Sequence, residues 1–236
     1  MVDIIATIGP SSTKQSVLKQ MVDAGMTVAR VNLKFSSVEE LVTIKERVDK
    51  LGAKLLIDLP SVSKANAIKE VKADYVALSF INKASQITSL RRKLKTKPLI
   101  IAKVETKKGV LNIKEIIDAS DGLMVARGDL GDNVKLEYLP IYQKSIIRDC
   151  NSKGKYVITA TEMLLSMVDN NKPTKSEVSD VANAVIDGSN ALMLSEETAI
   201  GKHPALAVKT MKKIINAIKK YLNNKDSIPE LDLIPE

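Results

Sequence analysis

The sequence predicts an α/β fold: a closed (β/α)8 barrel, the TIM barrel, in a single domain. Three observations carry this. Eight short β-rich runs alternate with amphipathic stretches of helical period. The alternation is regular over about 220 residues, which suits eight βα units closed into a barrel better than an open sheet. No Pro/Gly/Ser-rich linker, low-complexity tract or shift in composition divides the chain.

Taken in order, "DIIATIG" opens the chain and "TKQSVLKQMVDAG" follows it, ending in a glycine where a helix C-cap needs one. "TVARVNL" leads into "SVEELVTIKERVDKLG", which ends the same way. "KLLIDLP" and "DYVALSF" come next, joined by a short connection read as helical. "PLIIAKVE", "DGLMVAR", "YVITATE" and "NALMLSE" complete the strands, with "TKSEVSDVANAVIDG" as the helix before the last. The expected barrel covers residues 1–222, with a C-terminal tail over 223–236.

Composition narrows the function. The chain has 36 Lys+Arg against 28 Asp+Glu, a net charge of +8, which admits nucleic acid, an acidic membrane or a small anionic substrate. The basic runs "RRKLKTK" and "MKKIINAIKKY" read as solvated helix faces. At 3% aromatic residues and no Trp, base-stacking platforms lack material, so no nucleic-acid partner is expected. No apolar stretch reaches the roughly 18 residues that span a bilayer, so no membrane partner is expected. A lone Cys150 and no leader segment predict a cytoplasmic protein, with Cys150 as a core residue. A lone His203 leaves no material for histidine metal clusters or Ser-His-Asp triads.

In a barrel of this kind the reacting groups stand at the C-terminal ends of the strands. The polar residues there are Arg30 and Asn32, Asp58, Ser79, Lys103 and Glu105, Arg127 and Asp129, Thr159 and Thr161, and Ser195 and Glu197. All are expected to converge on one mouth. Glu105 and Asp129, from neighbouring strands, offer two hard oxygen ligands of the type Mg²⁺ or Mn²⁺ prefers. Lys103 and Arg30 beside them describe a site for an anion held by a divalent metal, which is what phosphoryl transfer and enolate formation require.

The residues also carry a family resemblance. "ATIGPSS", "AGMTVARVN", "ALSFI", "AKVET", "DGLMVARGDLG", "QKSIIRDCNSKGKYVITATEML" and "NNKPTKSEVSDVANAVIDGSNALMLSEETAIGKHP" resemble, in order, the catalytic barrel of pyruvate kinase. The resemblance implies phosphoryl transfer between phosphoenolpyruvate and ADP, with Mg²⁺ and usually K⁺, in a homo-oligomer. It implies that Glu105 and Asp129 hold the divalent metal and that Lys103 stabilises the transferring group and the enolate. Arg30 would lie on the phosphate and Thr161 near the enolate carbon. Ala126, Arg127 and Gly128 would form the turn under the substrate carboxylate, with Arg127 also bracing that turn, and Ser79 is counted with the substrate-binding set.

The departures from the family pattern bear on the nucleotide half of the site. Leu33-Lys34-Phe35-Ser36 stands where the family has Phe-Ser-His-Gly, Leu59 replaces a threonine, and Glu162 and Glu196 replace a glutamine and a glycine. Of the potassium ligands only Asn32 and Asp58 remain, so Lys34 is expected to supply the missing charge from between them. "LPSVSKAN" follows the third strand where the family inserts its β-rich lid domain, and the family's C-terminal domain is not expected. Three readings stay open: a minimal pyruvate kinase; an ATP-independent, metal-dependent lyase or decarboxylase of pyruvate-like oxoacids; and a non-catalytic paralogue that binds a metabolite.

Overall fold

The computed structural model describes residues 2–223. Beyond Asn223, the expected tail lies outside the described residues. Eight parallel strands close into a barrel in sequence order: β1 (Asp3–Thr7), β2 (Val28–Asn32), β3 (Lys54–Leu59), β4 (Tyr75–Leu78), β5 (Leu99–Val104), β6 (Gly122–Ala126), β7 (Tyr156–Ala160) and β8 (Ala191–Leu194). β1 pairs with both β2 and β8, which leaves no free edge. The fold class read from the sequence is the one observed.

Around the barrel lie α1 (Gln15–Ala24), α2 (Val38–Asp49), α3 (Ala84–Lys93), α4 (Lys107–Leu111), α5 (Ile113–Ala119), α6 (Arg127–Asn133), α7 (Leu139–Ser152), α8 (Lys175–Ile186), α9 (Glu196–Ala199) and α10 (Pro204–Asn223). Local chemistry starts and stops these helices. Ser37 with Glu40 and Thr174 with Glu177 form capping boxes at α2 and α8. Gly25 stops α1 at φ 118°, a conformation that costs any residue with a Cβ. One connection differs from the expected pattern. Between β3 and β4 the chain makes a 3-10 helix, Val62–Ile68, which buries only Ala65 and Ile68. Residues 60–74 are all that join the two strands, and the tighter helix spans that short return.

Side chains alternate between two cores, as the two-residue period of a strand requires. Outward residues such as Ile4, Ala29, Ile57, Val76 and Leu192 pack against the helices. Inward residues such as Ile5, Val28, Leu56, Ile101, Met124 and Met193 fill the barrel. At the N-terminal end, Tyr75 and Tyr156 stack with ring centroids 5.5 Å apart, and the Tyr156 hydroxyl donates to Asp3 at 2.7 Å. The barrel interior is therefore filled at that end, and the buried polar side chains gather at the other. No helix among the described residues is long and apolar enough to cross a membrane.

Candidate active site

The same two-residue period selects the side chains at the open end. Two positions on from inward Ile5 is Thr7; from Val28, Arg30; from Leu56, Asp58; from Ala77, Ser79; and from Ile101, Lys103 and then Glu105. All six are buried. They form one bonded chain. Arg30 donates from Nε and Nη2 to Asp58 Oδ2, at 3.0 and 2.7 Å, and from Nη1 to Thr7 Oγ1 at 2.8 Å. Lys103 Nζ donates to Ser79 Oγ at 2.9 Å and lies 3.3 Å from Asp58 Oδ1 and 2.9 Å from Glu105 Oε1. Two cations and two carboxylates offset one another, which makes their burial tolerable.

Glu105 is the least satisfied member. Its Oε2 accepts from the Phe80 amide at 2.6 Å, whereas the buried Oε1 has no hydrogen bond, its contact with Lys103 being an ion pair only. Burial pushes the carboxyl above the usual carboxylate range, Lys103 and the Phe80 N–H oppose this, and Asp129 is close enough for its charge to add to the rise. Asp129 itself is exposed, in the first turn of α6. A buried oxygen with an unused lone pair and a second, solvated carboxylate nearby fit a divalent cation that keeps several waters. Among the described residues no cluster of three or more His, Cys, Asp or Glu could cage a metal alone, so the remaining ligands would come from water and substrate.

The β6 and β7 ends build a second wall. Ala126 continues the inward face of Met124, and the chain then turns directly into α6. Arg127 therefore faces out. Its guanidinium donates to the carbonyl oxygens of Thr161 and Glu162 and pairs with Asp180 of α8, so its side chain braces the turn from behind. The Gly128 amide donates to Thr161 Oγ1 at 2.8 Å. Thr161 and Glu162 hold φ of 70° and 53°, a backbone that costs ~1–3 kcal/mol per non-glycine residue and persists only when the surroundings impose it. Glu197 contributes from the far side: fully buried, it accepts from the Leu164 and Ser195 amides at 2.9 and 2.7 Å, and burial holds its carboxyl above the usual range.

Some expected members stand elsewhere. Lys34 is exposed, its ammonium 5.4 Å from the centre of the exposed Phe35 ring, and the bridge expected between Asn32 and Asp58 does not form. Asn32 Oδ1 instead accepts from the Lys34 backbone at 3.0 Å, and Asp58 is engaged by Arg30 and Lys103. These residues do not fit a monovalent-cation site. Thr159 faces outward and meets Ser189 at 2.8 Å behind the barrel wall. Glu197 holds backbone rather than facing the mouth. Thr7, absent from the expected set, belongs to it; the period running from Ile5 was the signal.

Comparison with known proteins bears on the barrel as a whole. A family model described as pyruvate kinase, barrel domain, matches residues 57–208. A pyruvate kinase of Geobacillus stearothermophilus is 40% identical over 230 residues, covering 90% of this chain and 39% of that protein. One from Clostridium perfringens is 45% identical over 190 residues, 77% of this chain and 40% of that protein. One from Dictyostelium discoideum is 48% identical over 167 residues, 67% of this chain and 33% of that protein. The chain spans about two fifths or less of the length of these relatives. A closed barrel with this charged mouth, matched over most of its length by that barrel-domain model, belongs to the pyruvate kinase family.

Proposed function

We propose that the chain transfers a phosphoryl group between phosphoenolpyruvate and ADP. The observation that carries this reading is the pair of buried cations, Arg30 and Lys103, that meet on Asp58 beside a Glu105 oxygen held only by the Lys103 ammonium. Two fixed cations at the floor of a low-dielectric mouth stabilise charge on transferring phosphoryl oxygens and on an enolate far better than they would in water. Glu105 and Asp129 would hold Mg²⁺, whose bound charge polarises phosphoryl and enolate oxygens. Lys103 touches Glu105 and Ser79 as well as Asp58, so it can follow the charge as it moves from the phosphoryl group to the enolate oxygen. Arg30 keeps the phosphoryl end oriented. The backbone from Ala126 to Gly128 receives the substrate carboxylate, with Arg127 holding the turn from outside. Thr161 would deliver a proton to the enolate carbon, the step that completes pyruvate, once its hydroxyl gives up its bond to the Ala160 carbonyl oxygen.

A second reading has a specific observation behind it. Only residues 60–74, with a short 3-10 helix, join β3 to β4, and Phe35 is 78% exposed, which is compatible with a mouth that takes no nucleotide. Metal-assisted enolate chemistry on pyruvate-like oxoacids without ATP would use only the walls described above. Calorimetry with Mg²⁺ and oxalate, an enolate mimic, with and without ADP, tests both. Oxalate binding with ADP binding, and pyruvate release in a coupled assay, supports phosphoryl transfer. Oxalate binding without ADP binding favours the second reading, and no oxalate binding removes both.

A further inference from the structure

Thr161 and Glu162 are consecutive non-glycine residues in the left-handed region, and the first is β-branched. Such a pair exists only where neighbours dictate it. Arg127 is the main one. Its Nε and Nη2 donate to the Thr161 carbonyl oxygen at 3.2 and 2.6 Å, and Nη2 donates to that of Glu162 at 3.1 Å. Both carbonyls are pinned on Arg127, and the Thr161 hydroxyl accepts from the Gly128 amide at 2.8 Å and donates to the Ala160 carbonyl oxygen at 2.6 Å.

Arg127 is aimed in its turn by one carboxylate. Asp180, on α8, takes Nη1 at 2.7 Å through Oδ1 and 2.6 Å through Oδ2, while Gln143 adds only a 3.5 Å contact. A guanidinium is a rigid plane, so locking one edge on a carboxylate fixes the direction of the opposite edge. The Arg127 charge is buried, and among the described residues Asp180 is its only salt-bridge partner.

We infer that Asp180, a residue outside the mouth, is a positioning residue for it. Through Arg127 it fixes the left-handed turn at Thr161, and with that turn the placement of the Thr161 hydroxyl and the Gly128 amide. The inference rests on the reading of Thr161 and Gly128 as substrate-side groups. It also gives a task to part of the helix motif "KSEVSDVANAV" that the mouth itself does not use. Glu177 of the same motif acts farther along the loop, accepting from the Ser166 amide at 2.6 Å, and makes no contact with Arg127.

Three substitutions in the full chain separate the possibilities. Asp180→Ala removes the anchor, Asp180→Asn keeps its shape without the charge, and Asp180→Glu keeps the charge. Amide hydrogen exchange is read at Gly128, with Ile57 in the barrel wall as the reference for global opening. The expected result is exchange at Gly128 about ten-fold or more faster in Asp180→Ala, an intermediate effect in Asp180→Asn, recovery in Asp180→Glu and no change at Ile57. In turnover of phosphoenolpyruvate, kcat should fall about ten-fold in Asp180→Ala and return in Asp180→Glu, while Mn²⁺ affinity stays within about two-fold of the parent. A parent protein that does not turn over phosphoenolpyruvate would count against the proposed function alone, and exchange at Gly128 would still decide the role of Asp180. Equal Gly128 protection in the parent and Asp180→Ala overturns the inference. So does parallel loss of protection at Gly128 and Ile57, which would make Asp180 a residue of global stability.

Discussion

Arg30 grips a single oxygen of Asp58 from two nitrogens, at 3.0 and 2.7 Å, along the diagonal between neighbouring strands. Lys103 approaches the same carboxylate from β5. Asp58→Asn would leave the buried Arg30 with no carboxylate and Lys103 with Glu105 alone. Removing one partner of a buried ion pair typically costs about 3–5 kcal/mol, and a loss near the lower figure is expected because Glu105 stays. Urea denaturation of the variant measures it. A loss below about 1 kcal/mol would mean that water already compensates the cations.

The metal reading makes a separate demand. Loss of a residue that merely supports a ligand commonly weakens metal binding about 10- to 100-fold, so Glu105→Gln and Asp129→Asn should each cost at least that. Their effects on folding should differ. Asp129 is exposed, so its variant should unfold like the parent, whereas Glu105→Gln alters the buried charge balance and should shift the transition. Mn²⁺ titration followed by calorimetry tests both, and unchanged affinity in the pair would remove the proposed ligand set.

Lys34 is expected to be dispensable. Its ammonium lies over Phe35 in solvent, and Asp58 is already held by cations of the barrel. Lys34→Ser should therefore leave oxalate binding in Mg²⁺ within about two-fold, the scale of an exposed cation–π contact. The parent should show no preference between Na⁺ and K⁺ at equal ionic strength. Activation by K⁺ alone would point to a cation site elsewhere in the mouth.

The eight strands and the inward set Arg30, Asp58, Lys103 and Glu105 were legible because the two-residue period propagates from apolar to polar positions along one strand. The same period, applied strictly, would have turned Arg127 and Thr159 outward and added Thr7. Polarity at a strand end is a weaker signal than parity. What the sequence could not carry is pairing at a distance. Asp180 meets Arg127 from 53 residues away, and Asp58 could have met Lys34, Arg30 or Lys103 on local grounds. The choice was made by packing, which brings β5 and β2 to the same carboxylate while the loop after β2 swings to solvent.

Cys150 ties pH to stability in a way that its core position dictates. The thiol is buried in α7, and burial, aided by the nearby Asp149 charge, pushes its pKa up to about 12. An unfolded thiol ionises near ~8.5. A folded pKa above the unfolded value stabilises the folded state fully below about 8.5, and this contribution is lost as pH rises towards 12. Above about pH 8.5 the unfolded chain releases a proton that the folded chain retains, so stability should fall with a slope approaching ~1.4 kcal/mol per pH unit. Cys150→Ala opens a small cavity and lowers stability at pH 7, yet it removes the titrating group. The difference between parent and variant should therefore shrink steadily from pH 8 to pH 10. Iodoacetamide at pH 8 should label the parent only on the unfolding timescale, since the folded thiol is both protonated and covered. A constant difference across that pH range, or rapid labelling of the folded protein, would place the Cys150 thiol in contact with solvent.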